Sequence, residues 1–125
     1  TDWGGAMSTF EKGYGQDGQT IKEVFEFPTL GISMIDAVDR FKIRQPDYIK
    51  MDVDGLEHFI LKGGSQVLSQ IRGILIEIND NFQGQSEQSE RILTKAGLTL
   101  KEKLHADMFE ETKFSSIYNQ IWSRS

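Results

Sequence analysis

Between Asp47 and Val53 the chain alternates, with Ile49, Met51 and Val53 on one side and Lys50 and Asp52 on the other. That two-residue period predicts a strand. From Leu56 to Gln70 the spacing becomes helical and turns Leu56, Phe59, Ile60, Val67 and Leu68 inward, with a weak point at Gly63-Gly64. Ile74 to Ile78 is an aliphatic run interrupted only by Glu77. Such a run suits a strand covered on both faces, as in a parallel sheet. Strand, helix and strand within about 30 residues form a βαβ unit, whose crossover is expected to be right-handed.

The flanks add a helix on one side and a helix with two strands on the other. Ser33 suits a helix N-cap, with Asp36 completing a capping-box pattern, and Ile35, Val38 and Phe41 form its apolar stripe until Pro46. After the second strand, Asn79-Asp80-Asn81 reads as a turn. Ser86 then reads as the cap of a helix with Glu87 and Glu90 in its first turn, Ile92, Leu93 and Ala96 inward, and Gly97 as a left-handed stop. Leu98, Leu100 and Leu104 alternate with Thr99, Lys101 and Lys103, and Ile117 to Trp122 reads as another strand. An acidic connection around Asp107, Glu110 and Glu111 joins them, which predicts an antiparallel hairpin closing one sheet edge. At the other end, residues 1–23 hold five glycines (Gly4, Gly5, Gly13, Gly15, Gly18) without an apolar period and read as a loop-rich arm. Val24 to Phe27 reads as a short extended segment ended by Pro28.

A chain of 125 residues fits one domain spanning 1–125, long enough to bury a core without staples. It has no cysteine, which excludes disulfide frameworks, thiolate zinc sites and thiol nucleophiles. A net charge of −5 argues against nucleic-acid partners. No apolar run is long enough to span a membrane and no signal-like segment opens the chain, which points to a cytoplasmic protein without membrane partners. The first residue, Thr1, is not Met, so the chain reads as a piece of a longer product.

Three motifs fail on context. Gly13, Gly15 and Gly18 fit G-x-G-x-x-G, but the polar stretch before them and the strand-like one after deny the phosphate a helix N-terminus. Asp52-Val53-Asp54-Gly55 lacks the ligand spacing of a calcium loop. His58 and His105 stand alone in sequence. The informative constellation is Lys50, Asp52, Asp54 and Glu57 with Glu77. Ligands of open parallel sheets sit beyond the carboxyl ends of the strands, where four of these acids would converge if the two strands are neighbours. Lys50 is the only nearby cation. One reading pairs Lys50 with Glu77 and uses the remaining acids as helix caps. The other, favoured because clustered acids are poor for stability, is a substrate or metal site.

The segment DYIKMDVDGLE (Asp47 to Glu57), then Leu61-Lys62-Gly63-Gly64, then Ile74-Leu75-Ile76-Glu77-Ile78, resembles the FkbM family of S-adenosylmethionine-dependent methyltransferases. The resemblance spans about residues 24–122, from a leader helix at Ile32 to Val38 to a closing strand at Tyr118 to Trp122. Asp54 stands where the family usually has Glu. The resemblance implies an α/β fold: part of a Rossmann-like class I methyltransferase sheet, with the βαβ unit and the C-terminal antiparallel hairpin. It implies O-methylation of a hydroxyl on a small-molecule acceptor, a sugar or polyketide. On this reading Asp52 and Asp54 face the methyl-transfer centre, with Asp52 also meeting the cofactor. Glu57 orients or deprotonates the acceptor hydroxyl, and Lys50 with Glu77 holds the framework. By analogy with metal-dependent catechol-type enzymes, a divalent metal on Asp52 with Glu77 or Asn79 is a further expectation.

The family's first strands and the glycine-rich turn that bind most of the cofactor have no counterpart before Asp47. The resemblance therefore implies the C-terminal portion of a methyltransferase domain, inactive in isolation and binding S-adenosylmethionine weakly if at all. It leaves a hydrophobic edge along Asp47 to Val53, expected to be covered by self-association into a homo-oligomer or by the arm. Two other functions compete: a non-catalytic self-associating α/β module, and a metal-assisted hydrolase using Asp52, Asp54, Glu57 and Glu77.

Overall fold

The structure, a computed structural model, describes residues 27–105 and 116–125. The arm of residues 1–23, the 24–26 part of the extended segment and the connection at Asp107, Glu110 and Glu111 lie outside those residues. The elements run α1 (Met34–Asp39), β1 (Tyr48–Met51), α2 (Glu57–Lys62), α3 (Ser65–Leu68), β2 (Gly73–Asn79), α4 (Gln83–Lys95), β3 (Thr99–Leu104) and β4 (Ile117–Ser123). They build a four-stranded sheet in the order β1-β2-β4-β3. β1 and β2 are parallel, and β4 is antiparallel to both of its neighbours. The βαβ unit and the C-terminal hairpin are thus both present, in a mixed α/β fold of partial Rossmann-like character.

Alternation decides which face of the sheet is dry. Ile74, Ile76 and Ile78 are 2%, 0% and 4% exposed and join Met51 and Trp122 in the core against Leu61, Leu68 and Leu93 of the helices. The opposite face of β2 carries Leu75 and Glu77, both half-buried. The expected two-sided cover is therefore seen on one side only among the described residues. Glu77 escapes the full cost of burial because it lies on that other side.

The long helix expected over Leu56 to Gln70 is two short ones. Met34 of α1 approaches so closely that a Cβ on Gly64 would lie 2.2 Å from its Cε, and Ile35 N–H donates to the Gly63 carbonyl. The glycine pair is the seat of α1, which Ser33 caps by accepting from Asp36 N–H as the sequence predicted. Phe41, assigned to the inward stripe, is 57% exposed; Val38 packs on the core as expected, and Met34 joins it. In α2 the inward face is Glu57, His58 and Leu61, while Phe59 is 41% exposed against His58. Two polar residues turned inward shift that face away from the one hydrophobic spacing alone would choose.

Ser86 does not cap α4. The helix starts three residues earlier, at Gln83, because Asn79 Oδ1 accepts from Asn81 N–H at 3.0 Å and turns the chain directly into it. Ser86 is instead buried in the second turn and its hydroxyl faces Asp80 Oδ1 at 3.4 Å. The other end follows expectation. Gly97 has φ +88°, Leu98 N–H donates to Leu93 O and Gly97 N–H to Thr94 O, the paired bonds of a Schellman stop. Leu98 is buried, but Leu100 and Leu104 are exposed: β3 is an edge strand, and a bulge between Leu100 and Glu102 breaks its alternation.

Candidate functional site

Parallel register brings the two strand tips together. Met51 pairs with Ile76, so Asp52, just past the end of β1, and Glu77, still within β2, stand side by side on the same face. Beyond them the chain reverses through Asp54 (φ +56°) and Gly55 (φ +98°) before entering α2. Two successive left-handed residues favour Asp-Gly, since Asp tolerates that region better than Glu. An aspartate at position 54 therefore suits the backbone there. The turn aims Asp54 back at the strand tips: Asp52, Asp54 and Glu77 each place a carboxylate oxygen within 4.8 Å of the other two.

The electrostatics of this cluster are those of uncompensated like charge. Burial and the neighbouring carboxylates, above all Asp52, which also hydrogen-bonds it, push Glu77 up to about 7. Asp54 is also raised, by burial first and then by Asp52. Lys50 is exposed and makes no ion pair among the described residues, so the Lys50–Glu77 pairing that would have made the cluster a structural device is not formed. Two carboxyls bonded to one another share a proton, and a carboxyl titrating near neutrality can take or give one at physiological pH.

Glu57 is placed differently from the other acids. It is only 6% exposed, and its Oε1 accepts from Val53 N–H at 3.4 Å and Gly55 N–H at 3.3 Å. Burial raises its carboxyl, opposed first by its own backbone N–H and then by those of Gly55 and Val53. The structure therefore brings together three of the five residues singled out in sequence, Asp52, Asp54 and Glu77, sets Glu57 behind their turn and leaves Lys50 at the surface. Their hard oxygens are the donor type that a divalent cation takes. Neither His58 nor His105 belongs to the group. One neighbour escaped the sequence reading: Asn119 of β4 stands directly across from Glu77 and is half-buried. Only the pairing of β4 with β2, which sequence spacing does not encode, reveals it.

A parallel βαβ sheet with acids beyond its strand tips is a scaffold for binding and chemistry at that end. The particular family follows from comparison: a family model described as the methyltransferase FkbM domain matches residues 3–112, well over half of the 125 residues. The chain belongs to the FkbM methyltransferase domain family. The match starts nearer the N-terminus than the resemblance read from motifs and stops before β4. No curated protein and no solved structure matches the chain. Among the described residues no helix is long and apolar enough to cross a membrane.

Proposed function

We propose that this chain supplies the acceptor side of an S-adenosylmethionine-dependent O-methyltransferase acting on a hydroxyl of a sugar or polyketide-like small molecule. The observation that carries the reading is the convergence of Asp52, Asp54 and Glu77 oxygens within 4.8 Å of one another at the carboxyl ends of two neighbouring parallel strands. An anionic cluster suits the sulfonium end of the cofactor, and Asp52, at the tip of β1, is the residue closest in role to cofactor binding. The bound cofactor supplies an electrophilic methyl group. The acceptor hydroxyl would lie against the cluster and pass its proton to the Asp52–Glu77 pair as its oxygen takes the methyl group, the methyl–sulfur bond breaking and the sulfur leaving as a neutral thioether. Asn119 lies across from Glu77, where its amide can orient the acceptor. The flank of β1 that no described strand pairs with is where this reading places the strands that hold the rest of the cofactor, with residues 1–125 as the C-terminal portion of the domain in a cytoplasmic enzyme.

The test is transfer of labelled methyl groups to a panel of hydroxylated sugars and polyketides by the full-length gene product. Glu77→Gln is expected to lose roughly 100-fold or more of the rate, the usual worth of a general base. Undiminished transfer by the variant overturns the role of the cluster, and the absence of transfer to any hydroxyl overturns the acceptor class. Because the same oxygens suit a divalent cation, magnesium or manganese titration with Asp52→Asn as control tests metal assistance. Metal binding that the variant leaves intact dismisses it.

A further inference from the structure

Glu57 has the composition of a catalytic acid and the surroundings of a structural one. The residue is only 6% exposed, and its carboxylate turns to the backbone of its own turn. The turn between β1 and α2 needs such a group. With Asp54 at φ +56° and Gly55 at φ +98°, the amides of Val53 and Gly55 find no backbone carbonyl among the described residues. Both residues are half-buried, so their N–H groups are partly withdrawn from water and need an acceptor within the protein. Glu57 Oε1 accepts both, at 3.4 and 3.3 Å, reaching back from the first residue of α2.

We infer that Glu57 is a positioning residue: by holding the Val53 and Gly55 amides it fixes the left-handed turn that delivers the Asp54 carboxylate to Asp52 and Glu77. Asp54 has no other anchor. No hydrogen bond of its side chain to a described residue accompanies its unusual backbone, so its placement depends on the turn, and the turn on Glu57. The inference departs from the role that family resemblance implied for Glu57, orienting or deprotonating the acceptor hydroxyl, and leaves proton transfer to the Asp52–Glu77 pair. The inference rests on the proposed reading only in treating the cluster as the methyl-transfer site. The geometry of the turn stands apart from it.

Two variants separate reach from charge in the 125-residue chain. Glu57→Gln keeps an acceptor oxygen at the same reach and loses the charge; Glu57→Asp keeps the charge and falls one methylene short. Backbone NMR reads the result through amide exchange at Val53 and Gly55 and through the coupling constant that reports Asp54 φ. With Gln, both amides should exchange within about threefold of the parent rate, and Asp54 should stay left-handed. With Asp, both should exchange at least about tenfold faster and the Asp54 coupling should move toward an averaged value, while β2 and β4 amides stay protected. Unchanged amides and coupling in Glu57→Asp would overturn the inference. So would equal loss across all strands in both variants, which marks a merely global contribution to folding. In the full-length gene product, Glu57→Gln should keep methyl transfer within about tenfold of the parent with an unaltered pH profile. If its rate falls as far as that of Glu77→Gln, Glu57 is a catalytic acid or base and the positioning role fails. If transfer is absent from the parent as well, the methyltransferase reading fails and the exchange result still decides the turn.

Discussion

The two ends of the β1–β2 pair are built on opposite electrostatic principles. At the end where β2 begins, Arg124 donates from Nε to Ile71 O, from Nη1 to Ala96 O and from Nη2 to Leu68 O, at 2.9 to 3.0 Å. Its guanidinium satisfies the free carbonyls at the ends of α3 and α4, where a cation also complements the helix dipoles. Asp47 and Arg72 form an exposed ion pair beside it. At the end where β2 finishes, Asp52, Asp54 and Glu77 crowd together with no cation paired to them among the described residues. One end gathers charge to close the structure, and the other holds charge open at a cost. Such a cost is retained where a ligand or a proton is to be handled.

That contrast can be broken from either side. The largest effect is expected at the closed end: Arg124→Ala removes charge-assisted bonds to three carbonyls and should lower stability by about 2 kcal/mol in urea unfolding, without moving the Glu77 titration. A loss of a few tenths would mean that the guanidinium only decorates the surface. At the open end the sign reverses. Folded Glu77 keeps its proton up to about 7, whereas the unfolded chain releases it near the ordinary 4.5. The stability this group confers is therefore full below about 4.5 and is lost as the pH rises through about 7. Glu77→Gln should raise stability at pH 8 by on the order of 1 kcal/mol, after allowance for the solvent that reaches this half-buried side chain, and should flatten that dependence. A variant less stable than the parent at pH 8 would contradict the like-charge account. Asp54→Asn should act in the same direction by a smaller amount, since Asp54 ranks below burial and Asp52 among the causes of the Glu77 shift. The smallest signal concerns the flank of β1 that no described strand pairs with. Sedimentation should show concentration-dependent association of the 125-residue chain, and calorimetry little or no S-adenosylmethionine binding. A strict monomer with fast exchange at Ile49 to Met51, or micromolar cofactor binding, would count against the partial-domain reading.

What could be read from the sequence was whatever a short-range pattern encodes. The alternation of Ile49 and Met51, the run through Ile78, the Ser33 cap and the Gly97 stop all reappear in the structure because each depends on a few neighbouring residues. The meeting of Asp52 with Glu77 was legible once β1 and β2 were taken as parallel neighbours, since register does the rest. What escaped depends on contacts distant in sequence or on backbone geometry. The early start of α4 is set by the Asn79 side chain, and the weak point foreseen at Gly63-Gly64 became a complete break because Met34 packs against it. The inward turn of Glu57 answers two amides exposed by positive φ values, a demand that hydrophobic spacing does not register. Asn119 came beside Glu77 through an antiparallel pairing across 42 residues of sequence.

The convergence of acids is tested most directly by following the Glu77 side-chain carboxyl by carbon NMR as the pH is varied, in the parent chain and in Asp52→Asn. The account predicts a midpoint near 7 in the parent and a clear fall toward the ordinary glutamate value once the Asp52 charge is gone. An ordinary midpoint in the parent, unmoved by the substitution, would show that the two carboxyls do not share a site.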